Sequence, residues 1–197
     1  MNTISRLAAA AIGLAAIVSG ASQLASCTGA GMPTPAEVRK IAEDAQADMI
    51  RTELPELGLS LLRPRGWEQK TNATGPLYFE FKTLGGILNG SLASESVPAD
   101  TLLMDYVKAN RVEIEKLHQT RATVTPPAYS NLPGAVQNHS ANLTLAFDQP
   151  DAGMVQVTQR YFIRGTRSYI LAVTTPQALH DEMLPLFDAM FASIEFK

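Results

Sequence analysis

The chain has 197 residues, 46% of them hydrophobic and 18% charged, with 16 Lys and Arg against 19 Asp and Glu. That length suits one domain with a sizeable core, and a formal charge of -3 supplies no basic stripe of the kind nucleic-acid binding needs. A single cysteine excludes an intramolecular disulfide, and with three histidines it leaves no Cys-rich zinc site.

Residues 1–26 read as an export signal: one positive charge at Arg6, the apolar run Leu7 to Val18, then small residues. Twelve apolar residues fall short of the roughly 20 needed to span a bilayer. The only cysteine closes the stretch Leu24-Ala25-Ser26-Cys27. This stretch resembles the bacterial lipobox, whose small residues let an acyl-transferring enzyme reach the thiol. The resemblance implies a diacylglyceryl thioether on Cys27, cleavage before it, and an acylated new terminus carrying palmitate-like chains. Ordinary cleavage after Ala21 is the alternative and would leave a free thiol, a liability in an oxidising compartment. Thr28, where an Asp would favour inner-membrane retention, leans towards the outer membrane, facing the periplasm, if the source is Gram-negative.

Removing residues 1–26 takes away Arg6 alone and leaves 15 Lys and Arg against 19 Asp and Glu over 171 residues, a mildly acidic mature chain. Residues 27–33 form a lipidated tether, residues 34–56 an N-terminal helix and linker, and residues 57–197 the main domain. Thr34-Pro35-Ala36-Glu37 is a capping box with proline at the first helical position. Val38, Ile41, Ala42, Ala45 and Met49 share a face, so the spacing predicts a helix to Arg51 or Thr52 before Pro55 stops it. Its thin Ala-rich stripe suits packing on the domain, a place near the membrane, or a spacer.

From Leu59 the period becomes two. Leu59 to Leu62 reads as a strand, Arg63-Pro64-Arg65-Gly66 as a turn before Trp67, and Leu77, Phe79 and Phe81 as a half-buried strand. Gly85-Gly86 reads as a hairpin turn into a strand at residues 87–94. Pro98-Ala99-Asp100 opens a helix with Leu103, Tyr106, Val107, Ile114 and Leu117 on its apolar face. Residues 121–125 and 134–137 look extended, separated by Pro126-Pro127 and Asn131-Leu132-Pro133. Leu143, Leu145 and Phe147 alternate, then Val155, Val157, Tyr161 and Ile163, and Arg164-Gly165-Thr166-Arg167 is the next turn. Residues 168–174 are apolar on both faces and belong in the middle of a covered sheet. A closing helix carries Leu179, Met183, Phe187, Met190 and Ile194, with a kink or restart expected at Pro185. The sum is an α+β fold: an antiparallel sheet of six or seven strands, a crossover helix inserted midway and a helix at the end.

Chemistry is sparse. His118, His139 and His180 lack i, i+4 metal spacing, and no nucleophile elbow, P-loop or dinucleotide fingerprint occurs. Glu80 and Lys82 are placed to meet Arg160 and Arg164 across the sheet as charge pairs. Arg63, Arg65, Arg164 and Arg167 are a candidate basic cluster for lipid headgroups or an acidic partner, against the plainer reading of turn residues. Tyr161, Phe162 and Tyr169 suit a ligand pocket or, better, a core. An acylated Cys27 is no nucleophile.

Leu59-Ser60-Leu61 running into Pro64-Arg65-Gly66-Trp67, the helix after Asp100, Gln159-Arg160-Tyr161 before Gly165, residues 169–174 and the tail Pro185, Phe187, Met190, Ser193 and Phe196 together resemble the PsbP-like fold, particularly DcrB-like and LpqN-like bacterial lipoproteins. The resemblance covers residues 57–197. It implies a three-layer α/β/α sandwich that acts by binding another protein, without catalytic, metal or cofactor residues. The expectation is a lipid-anchored, non-catalytic cell-envelope protein that reaches the membrane through Cys27 and binds or helps assemble an envelope protein. A small-ligand-binding lipoprotein and an envelope enzyme are the competing readings.

Overall fold

A computed structural model describes residues 33–71, 77–81, 89–120, 122–129, 139–149 and 153–197. The expected export signal and tether with Cys27, the hairpin turn expected at Gly85-Gly86, the Asn131-Leu132-Pro133 breaker and the extended segment expected at residues 134–137 lie outside the described residues.

Helix α1 spans Pro35–Ala47. Its capping box closes as the sequence predicts: the Thr34 hydroxyl accepts from the Glu37 N–H at 3.3 Å, and the Glu37 carboxylate accepts from the Thr34 N–H at 2.7 Å. The helix stops four to five residues before the expected end. Strand β1, Met49–Leu54, takes the residues predicted to finish it and pairs antiparallel with β2, Leu59–Pro64, around a 3-10 turn at Pro55–Leu57. Gly58 closes that turn in the left-handed region, at φ 66°. Six ladder positions with β2 outweigh the weak helical stripe beyond Ala45.

Seven further strands form the main sheet: β3 Trp67–Thr71, β4 Leu77–Phe81, β5 Asn89–Ser96, β6 Ala122–Tyr129, β7 His139–Gln149, β8 Gly153–Arg164 and β9 Arg167–Pro176. Their order is β3-β4-β5-β9-β8-β7-β6, every neighbouring pair antiparallel. The doubly apolar segment is β9, the central strand, buried along its whole length after Arg167. Pro126 and Pro127, expected to end the extended segment at residues 121–125, lie inside β6. A register shift falls between Thr125 and Ala128, and β6 is an edge strand, where the missing N–H groups break few ladder bonds.

Helix α2, Leu103–His118, crosses between β5 and β6, and its N-cap is Leu102 with no side-chain cap bond. Leu103, Tyr106, Val107 and Ile114 are buried as expected, but Leu117 is 51% exposed. A 3-10 turn, Gln177–Leu179, leads into α3, His180–Ala192, one helix through the exposed Pro185. The helix does not restart at Pro185; the change of helix type falls earlier, where the 3-10 turn becomes α-helix. A short β10, Glu195–Phe196, joins β2, making a separate three-stranded sheet in the order β1-β2-β10.

Two hydrophobic cores flank the main sheet. One joins α1, α3, β1 and β2 to Leu92, Phe162, Tyr169, Leu171 and Val173. The other joins α2 to Ala141, Leu143, Leu145, Val157, Tyr161, Ile163 and Ile170. Alternate residues of β8 and β9 thus serve opposite cores, which makes the fold a three-layer α/β/α sandwich. Helix α1 belongs to this packing, with Val38 and Ala42 buried in the first core.

Candidate functional site

Cys27 lies outside the described residues, so the described chemistry comes from the histidines, the arginines and one polar cluster between layers. His180 opens α3, buried against β8 and β9. Its Nδ1 lies 3.0 Å from the Thr175 hydroxyl and its Nε2 2.9 Å from the Thr158 hydroxyl, which in turn lies 3.2 Å from that of Thr144. Burial pushes the imidazole below its ordinary pKa, opposed by the charge of Asp181. With both ring nitrogens hydrogen-bonded, His180 is placed to fasten α3 to the sheet. His118 ends α2 on the other side of the sheet and stacks on Phe147 at 4.2 Å; partial burial lowers its pKa too. His139 begins β7. Among the described residues no group of three His, Cys, Asp or Glu is placed to hold a metal ion.

A polar cluster lies beneath the first turn of α2. The Tyr106 hydroxyl donates to the Glu95 carboxyl and accepts from the Ser168 hydroxyl at 3.0 Å. Tyr161, on the same face of β8 as Gln159, donates to the Gln159 side-chain oxygen and meets Tyr106 edge to face at 6.0 Å. Asn110 donates to the Tyr106 carbonyl at 2.9 Å. Burial first, and the Glu95 carboxyl second, push the Tyr106 phenol well up; burial, then Tyr106 and Glu95, do the same for Tyr161. Both phenols therefore stay protonated donors. The cluster is suited to holding α2 in register on β5, β8 and β9, since neither phenol titrates near neutrality. A tyrosine on the apolar stripe of α2 is the only sequence signal that could have pointed to it, because a buried phenol seeks a partner.

The strand order does not bring Glu80 beside Arg160 and Arg164, where a cross-strand charge pair was expected. Strand β4 is three places from β8, about 14 Å at the usual strand spacing. Lys82 lies outside the described residues. Arg160 pairs with Asp188 of α3 and lies 5.1 Å from the Phe191 ring centre, while Arg164 lies 4.4 Å from that of Phe196. The basic cluster does not form either. Arg65 pairs with Asp48 at one end of β2. Arg167 donates to the Glu56 carbonyl before the other end, a strand length of about 20 Å away. Arg63 is turned inward, donating to the Trp67 carbonyl at 2.7 Å, and burial lowers its pKa. Tyr161, Phe162 and Tyr169 are core side chains, with Phe162 and Tyr169 stacked at 4.9 Å.

Among the described residues no helix is long and apolar enough to cross a membrane. No family model matches the chain, and no curated protein matches it. Solved structures do. Cyanobacterial PsbP (CyanoP) from Synechocystis sp. PCC 6803 is similar at a TM-score of 0.56 and 15% identity, over 87% of this chain and 98% of that one. The Saccharomyces cerevisiae Ran-binding protein Mog1p is similar at 0.54 and 10% identity, over 75% and 95%. LpqN, described as involved in cell envelope biogenesis of Mycobacterium tuberculosis, aligns at 0.49 and 10% identity, over 85% and 99%. The first two similarities establish the fold as PsbP-like.

Proposed function

We propose that the chain is a lipid-anchored, non-catalytic protein of the bacterial cell envelope that binds or helps assemble another envelope protein. The observation that carries this reading is Leu24-Ala25-Ser26-Cys27, placing the only cysteine directly after an export segment too short to span a bilayer. Two or three acyl chains on Cys27, each contributing about 0.8 kcal/mol per buried CH₂, hold a domain firmly on a membrane. Support for a binding role comes from the use of polar side chains: His180 and the Tyr106 cluster are occupied in joining layers. One fold neighbour is a Ran-binding protein, which is in keeping with that role.

Membrane fractionation of cells producing the chain and its Cys27→Ala variant tests the anchor. The parent is expected in the membrane fraction and the variant in the soluble one; a variant that stays membrane-bound refutes it. Crosslinking in intact cells followed by mass spectrometry tests the binding role, and a reproducible absence of protein partners refutes that part.

A further inference from the structure

We propose that the domain stands on the lipid surface by one end of the β8–β9 strand direction, the end where α1 and α3 begin and α2 finishes. The inference rests on acylation of Cys27. Three contacts bring these elements to one end. Arg39, in the first half of α1, forms two bonds with the Glu182 carboxylate near the start of α3, at 2.7 and 2.9 Å. Beyond α1, Arg51 donates to the Ser193 carbonyl past the end of α3, so the two helices run side by side in the same direction. On the opposite face, His118 stacks on Phe147 and the Thr120 hydroxyl donates to the Ala146 carbonyl at 3.0 Å. Phe147 pairs with Val155 and Val155 with Pro176, the residue that leads into the turn before α3. The turn after Arg164 marks the other end, where the Val97 N–H donates to the Thr166 carbonyl and Leu102 begins α2.

Chain length decides which end faces the lipid. Seven residue steps separate Cys27 from Thr34, a reach of at most about 25 Å. The ten residues of β9 measure about 33 Å along the same axis. Resting on the Thr166 end would lift Thr34 farther from the bilayer than the tether extends. The end at Thr34 also carries Leu117 and Met154, two of the exposed large apolar side chains. Among the described residues the charges there are mixed: Arg39, Lys40 and Lys116 against Glu37, Asp148, Asp181 and Glu182. Attraction to anionic headgroups therefore contributes little, and salt leaves the orientation unchanged.

The experiment uses acylated protein reconstituted in phosphatidylcholine vesicles that carry a headgroup nitroxide. Leu117→Cys, Met154→Cys and Leu102→Cys variants each bear a fluorophore on the new thiol, since an acylated Cys27 has none to label. All three positions are exposed, so the labels leave both cores intact. Loss of most of the emission is expected at positions 117 and 154, with little loss at 102, at low and high salt alike. Equal quenching at the three positions, or stronger quenching at 102, overturns the orientation. Mass spectrometry of the Cys27 peptide from the same sample separates the two ideas. Acylated peptide with equal quenching sinks the orientation alone, whereas unacylated peptide sinks the anchor and the orientation with it.

Discussion

Under α1 and α3 the main sheet is closed by rings: Phe162 stacks on Tyr169 and meets Phe191 and Phe196 edge to face, and Trp67 meets Phe187 in the same way. Under α2 it is closed mostly by aliphatic side chains, with the Tyr106–Tyr161 ring pair, around the hydroxyl and carboxyl groups of Tyr106, Ser168 and Glu95. Rings supply area without direction, whereas a buried hydrogen-bond cluster accepts only one placement of the helix above it. The first face is expected to be the larger source of stability, and the second to set the position of α2. Each face also holds one histidine with lowered proton affinity, His180 beneath α3 and His118 at the end of α2.

Substitutions on the two faces should separate these roles. Phe162→Ala has the largest expected effect, a loss of about 3–5 kcal/mol in urea unfolding, because it empties the centre of the aromatic face. A loss no greater than that of a surface change would refute the ranking of the two faces. Tyr106→Phe keeps the ring but leaves the Glu95 carboxyl without its phenol donor, so about 1–3 kcal/mol should be lost. Amide exchange along α2 should quicken more than along α3; uniform quickening would deny the cluster its local role. Thr34→Ala removes the α1 cap and should cost about 1 kcal/mol, with faster exchange confined to the first turn of α1.

The smallest effect at neutral pH, and a selective one in acid, concerns the histidines. His180 remains neutral in the fold, while in the unfolded chain it takes up a proton as the pH falls through its ordinary value of 6.5. The unfolded state then binds more protons, so stability is complete above that value and is lost as the pH falls below it. Urea midpoints measured from pH 7.5 to 5 should show this decline. His180→Gln should flatten it more than His118→Gln, since His118 is less buried. Equal flattening would remove the distinction between the faces.

Several elements were legible before any coordinates. The capping box marks the start of α1, two-sided apolarity marks β9 as central, and alternation marks β7 and β8. Met49–Leu54 misled because a five-residue extension of a thin helical stripe is locally as good as a strand until β2 lies beside it. The arginine cluster misled because two turns near in composition proved far apart in space. The Tyr106 cluster was invisible because Glu95, Tyr106, Tyr161 and Ser168 come from four separate elements.

The amino-acid sequence by itself determined the apolar run before Leu24-Ala25-Ser26-Cys27, the type of most elements and the α+β class, since each depends on residues adjacent along the chain. Only the tertiary structure decided that β1, β2 and β10 leave the main sheet to form their own, that α1 shares a core with α3, and that the starts of α1 and α3 and the end of α2 lie at the same end of the strands, on opposite faces of the sheet. Those outcomes depend on which surfaces remain to be covered once the strands have paired, and periodicity along the chain carries no record of the neighbour that covers them.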